Sequence, residues 1–188
     1  MSKVIFGAGC FWGVQDDFGK IKGVIKTEVG YSGGHFKNPS YKDVCSDITG
    51  HSEVVLVEYD EKKISFKKLL EKFWEMHDPT TENRQGVDVG SQYRSTIYYY
   101  TEKQRKEAEE SKREREKVLK KKIVTEIKKA EEFYKAEDYH QNYHKKRFLN
   151  RWFRVFKDDK GRYFMMLSVE FLMKNLALFG CGMGLLGF

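Results

Sequence analysis

Proline is nearly missing from this chain, with two in 188 residues, and cysteine is scarce, with three. Three cysteines at uneven positions do not make the paired framework of a small secreted disulfide protein, so a reducing cytoplasm is the expected setting. No cleavable leader is expected either: the sequence opens MSKVIFGAGC, without an apolar region followed by a small-residue cleavage site. A third metal ligand is lacking too. His140 and His144 stand four apart and could share a helix face, but nothing evident joins them, so no metal is expected.

Acidic residues are fewer than basic ones, 28 against 35, for a net charge of +7. A basic balance can serve nucleic acid or an anionic membrane surface. Here the charges are mixed, as in TEKQRKEAEESKREREKVLKKK, where Glu and Lys alternate at helical spacings and read as a solvated helix face. With 40% hydrophobic and 34% charged residues the chain reads as soluble and globular, long enough for one domain with a sizeable core.

The elements follow from periodicity. KVIFGA reads as a buried strand, FWGVQDDFGKI as a helix with Phe11, Val14, Phe18 and Ile21 on one face, and GVIKTEVGYSGG as a second strand. Residues 33–48 read as a loop broken by Pro39, and SEVVLVEYD as a strongly alternating strand. SFKKLLEKFWEMHD is an amphipathic helix with Ser65 as its N-cap, followed by the long polar loop PTTENRQGVDVGSQ. YRSTIYYY is a strand, Thr101 caps the long charged helix, IVTEI is a short strand, and AEDYHQNYHKKRF starts a further helix. This order predicts a two-layer α/β or α+β sandwich with a mixed sheet and flanking helices.

From Phe148 the composition turns apolar, and YFMMLSVEFLMKNLALFGCGMGLLGF ends the chain. Glu170 and Lys174 interrupt it and glycines dominate its end, so packing on the domain is expected rather than membrane contact. The terminal GMGLLG has a dinucleotide-like spacing, but no helix can follow it to hold a pyrophosphate.

Cys10 lies in IFGAGCFWGV, between a strand and a helix and flanked by Gly9 and Gly13. A helix N-terminus stabilises a thiolate, and glycines permit close approach of backbone or ligand. Phe11 and Trp12 point in different directions from a helix start, so at least one is free to wall a pocket beside the sulfur, suited to a small apolar group such as a methyl.

GCFWG, EVGYSGG, NPSYKDVCSDITGHSEVVLVEYD, FWEMHDPTTENRQGVDVGSQYRS and FYKAEDYHQNY resemble, in order and spacing, segments of the A-type peptide methionine sulfoxide reductases. The resemblance covers about residues 3–147, so the expected division is a catalytic domain over 1–147 and an atypical C-terminal segment over 148–188. It implies reduction of the S-epimer of methionine sulfoxide, free or in proteins, on a sandwich built around a ferredoxin-like core. It implies Cys10 as nucleophile, Glu53 as acid, Tyr41, Asp88 and Tyr93 as further polar site residues, and Phe11 and Trp12 around the substrate's S-methyl group. No metal, flavin or nucleotide cofactor is implied. The implied partner is thioredoxin or a similar dithiol, and a monomer without nucleic acid is expected.

Many members regenerate the enzyme with a cysteine in a glycine-rich tail, and Cys181 in FGCGMGLLGF has that setting. If Cys181 is inert, Cys45 or an external thiol must do the work. Position 15 is Gln where many members carry an acid; it should face away from the sulfur and matter little. His51 beside Gly50 is a candidate support for the site. The alternative from another class is a basic RNA-binding module on a ferredoxin-like sheet.

Overall fold

The computed structural model describes residues 1–157 and 163–167, with side chains as far as residue 148. The chain divides into two compact units, Met1–Asn142 and a second that starts at Tyr143. The second unit contains α5 (Tyr143–Trp152) and the antiparallel pair β9 (Phe153–Lys157) and β10 (Tyr163–Leu167).

The first unit is built on β1 (Ser2–Gly7), α1 (Phe11–Gly19), β2 (Val24–Ser32), α2 (Tyr41–Cys45), β3 (Ser52–Tyr59), α3 (Phe66–Glu75) and the two-residue strands β4 (Arg84–Gln85) and β5 (Asp88–Val89). It continues through a single 3-10 turn (Ser91–Tyr93), β6 (Thr96–Tyr99), α4 (Glu102–Leu119), β7 (Glu126–Lys129) and β8 (Tyr134–Lys135). Six strands form one mixed sheet in the order β7-β6-β1-β3-β2-β8, with β6 and β7 parallel and the other neighbours antiparallel.

Alternation sorts the strand residues onto two faces. Val4 and Phe6 on β1, Val29 and Tyr31 on β2 and Val55 and Val57 on β3 join the large core with Phe11, Val14 and Phe18 of α1 and Leu69, Leu70 and Phe73 of α3. At its centre Phe6 stacks on Phe18 (4.8 Å) and on Phe73 (5.0 Å). Ile5, Val54, Leu56 and Tyr98 make a smaller cluster on the other face, covered by Ala130 and Phe133. This is the expected mixed α/β sandwich.

Local signals account for the helix starts. Ser65 accepts the Lys68 N–H at the head of α3, and Thr101 with Gln104 forms a reciprocal capping box on α4. The stretch read as loop over 33–48 contains α2, one short helix capped by Ser40 and Asp43 in the same reciprocal way. Five residues are too few for periodicity to show. The polar stretch before Tyr93 contains the β4–β5 hairpin. The helix read from Ala136 starts only at Tyr143; residues 138–142 form turns instead, because the polar side chains of this stretch hold other elements, as described below.

Candidate active site

β1 ends beside β3, and the chain passes through Ala8 and Gly9 to Cys10, the N-cap of α1. Gly9 has φ +89°, and a Cβ there would meet the Gln85 side chain at 2.7 Å, so only glycine suits both the backbone and the packing. Gly13 is different: among the described residues a Cβ there meets nothing within 4 Å, so nothing in their packing requires a glycine at that position.

Glu53 sits near the start of β3, directly opposite Tyr31 of β2. It shares the parity of Val55 and Val57, so its carboxylate points at the helix-covered core rather than at water, and the residue is 1% exposed. There Glu53 Oε2 accepts the Phe11 N–H at 3.2 Å, one residue beyond the thiol. Burial pushes the Glu53 carboxyl up to about 7; the Phe11 N–H opposes this and the Asp88 charge adds to it.

The same forces act on the thiol. Burial pushes Cys10 up to about 11, the N–H groups of Trp12 and Gly13 act in the opposite sense, and the charges of Glu53 and Asp88 add to the rise. The helix N-terminus therefore does not leave a resting thiolate at neutral pH, as its position alone suggested: desolvation and two carboxylates outweigh it.

Asp88 reaches the site from the β4–β5 hairpin, where it pairs with Gln85. Gln85 anchors that hairpin by accepting the Asp78 N–H and donating to the Asp78 carbonyl, both at 3.1 Å, while its stem covers Gly9. Tyr93 follows at the end of the 3-10 turn, within the electrostatic reach of Glu53, Asp88, Cys45 and Cys10. Burial raises its phenol to about 12. Tyr41, first residue of α2, is raised by burial and by a hydrogen bond with the exposed Cys45 one turn on, and also feels Glu53 and Tyr93. Both phenols thus remain O–H donors at any working pH. Cys10, Glu53, Tyr41, Asp88 and Tyr93 converge from five different segments.

Phe11 is fully buried and Trp12 is half-buried. Both meet His140, with ring centroids 5.1 and 5.6 Å away. Cys181 lies outside the described residues.

Four residues in the site's support were not found by motif reading. Glu137 accepts the Tyr31 hydroxyl and the Tyr41 N–H, both at 2.9 Å, and so ties α2 to β2. Gln141 accepts the Val29 N–H at 3.1 Å and donates to the carbonyls of Val29 and Ala136 at 2.9 Å. Gln15 is buried, accepting the Asn142 N–H at 2.7 Å and donating to the Thr27 carbonyl at 3.2 Å. His140 accepts the Trp12 indole N–H. His140 was read only as a metal-ligand candidate sharing a helix with His144, yet it precedes α5 and its Nδ1 is occupied. An acid, a histidine and an amide within EDYHQ, with Gln15 far away in the sequence, carry no periodic signal, so only the fold brings them out. His51 is also a support: it is buried, accepts the Gly34 N–H at 3.0 Å through Nδ1, and donates Nε2–H to the Phe36 carbonyl at 2.7 Å, which shapes the loop into α2.

The family model for peptide methionine sulfoxide reductase matches residues 2–164. The match runs past residue 147, where the quoted motifs stop. A Methanosarcina acetivorans peptide methionine sulfoxide reductase MsrA is 56% identical over 160 residues, 84% of this chain and 85% of that one. The corresponding MsrA of Saccharolobus solfataricus is 52% identical over 167 residues, 89% and 94% of the two chains. Among solved structures, reduced Mxr1 of Saccharomyces cerevisiae superposes with a TM-score of 0.74 at 36% identity, covering 77% of this chain and 84% of that one. Mxr1 in complex with Trx2 superposes with a TM-score of 0.54 at 25% identity, covering 75% and 83%. The reading as an RNA-binding module finds no support in these relatives. With the motifs, the mixed sheet and the family match in agreement, the chain belongs to the peptide methionine sulfoxide reductases of the A type, oxidoreductases that reduce methionine sulfoxide.

Proposed function

We propose that Cys10 is the nucleophile of a thiol-dependent reduction of the S-epimer of methionine sulfoxide, free or in proteins. The observation that carries this reading is the Glu53 carboxyl on the Phe11 N–H, raised to about 7 beside a buried thiol. A sulfoxide sulfur becomes electrophilic when its oxygen takes a proton, and an acid poised near working pH delivers one. Tyr41 and Tyr93 donate hydrogen bonds to the oxygen as charge grows on it, and the Asp88 charge helps to keep Glu53 protonated. Cys10 sulfur attacks the substrate sulfur and forms an S–S bond as the thiol proton passes by way of Glu53 to the oxygen; the resulting hydroxyl then moves from the substrate sulfur to the Cys10 sulfur as that S–S bond breaks. The products are methionine and a Cys10 sulfenic acid, the first rung of cysteine oxidation. Phe11 and Trp12 hold the S-methyl group and so orient the sulfur.

A dithiol returns the enzyme to its start: two thiols reduce the sulfenic acid, releasing water and leaving a disulfide on the donor. Mxr1 forms a complex with Trx2, which supports thioredoxin or a similar protein as that donor. Cys181 remains our choice for the resolving thiol. The working unit we assign is a catalytic domain over 1–147 with an atypical segment over 148–188, acting as a cytoplasmic monomer. Among the described residues no helix is long and apolar enough to cross a membrane.

The test is reduction of resolved sulfoxide epimers with dithiothreitol as donor. Wild type should consume the S-epimer only, and Cys10→Ser should release no methionine while keeping the wild-type circular dichroism. Turnover by that variant would end this reading.

A further inference from the structure

His140 is buried to 1% exposure in a ring cluster with Phe11, Trp12, Tyr41 and Tyr139, whose centroids lie between 4.1 and 5.6 Å from its own. An apolar ring would pack there without desolvating any polar atom. Instead the Trp12 indole donates its Nε1–H to His140 Nδ1 at 3.0 Å. An indole nitrogen only donates, so Nδ1 must offer its lone pair and the ring proton must sit on Nε2. That Nε2 is buried and meets no hydrogen-bond partner among the described residues, and the Glu137 carboxylate is 3.9 Å off and already holds the Tyr31 hydroxyl. The ring thus presents its single acceptor to one indole. Burial also lowers the imidazole pKa, which keeps the acceptor available.

We propose that His140 is a positioning residue that sets the Trp12 indole through this bond, and thereby fixes the wall against which the sulfoxide's methyl group rests. The inference rests on the reading of Trp12 as part of the methyl pocket. Trp12 stands on the first turn of α1, half-buried, with its Cα set by the helix but its χ angles set only by what its ring meets. A hydrogen bond at the far end of the ring selects one rotamer. Its loss leaves the same residues in place with a less defined pocket, so substrate affinity should change more than the chemistry of bound substrate.

The experiment compares His140→Phe, which keeps a ring and removes the acceptor, with His140→Asn, whose Oδ1 falls close to the position of Nδ1. Each is made in the wild-type and the Trp12→Phe background, with methionine sulfoxide as substrate and dithiothreitol as donor. In the wild-type background His140→Phe should raise KM about tenfold, the scale of one hydrogen bond. Its saturated single-turnover rate should stay within about twofold, and His140→Asn should recover most of KM. In the Trp12→Phe background the two His140 variants should have equal KM. A wild-type KM in His140→Phe, or an equal KM penalty in both backgrounds, overturns the proposal. If Trp12→Phe alone leaves KM unchanged, the methyl-pocket reading fails instead. Should His140→Phe not fold, nitrogen NMR of the labelled wild-type chain still decides: His140 must be the Nε2–H tautomer, and an Nδ1–H tautomer overturns the assignment.

Discussion

Moving the Glu53 carboxyl from water to its place beside Phe11 raises its pKa from 4.5 to about 7. Between those values the native chain holds a proton that the unfolded chain has released, so stability falls as pH rises through that window. Above it the full cost is present, about 3 kcal/mol for a shift of this size. Glu53→Gln can still accept the Phe11 N–H and never ionises. It should therefore stabilise the protein by about that amount at pH 8 and by almost nothing at pH 4, read from urea midpoints at the two values. The same substitution should slow the first turnover by about 10²-fold. In wild type the proposed mechanism, in which the acid form of Glu53 is the donor, requires that rate to hold steady in acid and to decline as pH rises past about 7. A rate that instead climbs towards the Cys10 value of about 11 would mean that thiolate formation governs the step.

Gln15 is a second case at this scale. It was expected to matter little because it faces away from the sulfur, yet it uses both ends of its amide in the interior. Gln15→Glu keeps the acceptor for Asn142 N–H and sets a carboxylate oxygen against the Thr27 carbonyl. The introduced acid should cost about 1–3 kcal/mol at pH 8. Near pH 4 a proton restores the donor and most of the stability should return, which the same urea titrations would report.

Among the elements, the segment 137–142 does more than connect. Glu137, His140, Gln141 and the Asn142 backbone each bind a different part of the unit: Tyr31 and Tyr41, Trp12, Val29, and Gln15. A helix across these residues would aim their side chains at 100° steps and break most of these bonds. Asn142 adopts a left-handed φ of 53° just before α5 starts, a conformation that asparagine tolerates better than most residues. Gln141→Ala should unpair the Val29 N–H and the Ala136 carbonyl in a dry place. The expected cost is about 2–4 kcal/mol, from two buried polar groups left alone. A urea midpoint equal to wild type would mean that water replaces the amide there.

For the whole molecule, the proposed cycle requires a second thiol to return the oxidised Cys10. Cys45 is exposed and bonds Tyr41 on the rim of the site, while Cys181 belongs to a segment outside the described residues. With Cys181 as resolving thiol, Cys181→Ser should release one methionine per enzyme and then stall with thioredoxin, with partial rescue by dithiothreitol. Mass spectrometry after one wild-type turnover should find a Cys10–Cys181 bridge. Full cycling of Cys181→Ser with thioredoxin would move the role to Cys45 or to the donor itself.

The sequence by itself determined the strands and long helices of the sheet, because the β-branched apolar run of β3, which is buried on both faces rather than alternating, the 3.6-residue stripe of α3 and the caps at Ser65 and Thr101 are local physics. It also determined the family, because its motifs stand in order along the chain. The direction of Glu53 was not legible in this way: both parities of β3 are apolar and buried, Val55 and Val57 on one face and Val54 and Leu56 on the other, so a pattern along the strand does not say which face is the helix-covered one. Only the tertiary structure decided the protonation of the site and the part played by segment 137–142. A pKa follows from desolvation and from charges brought together from distant segments, and the Trp12–His140 bond spans 128 positions. No pattern within one stretch of chain contains either.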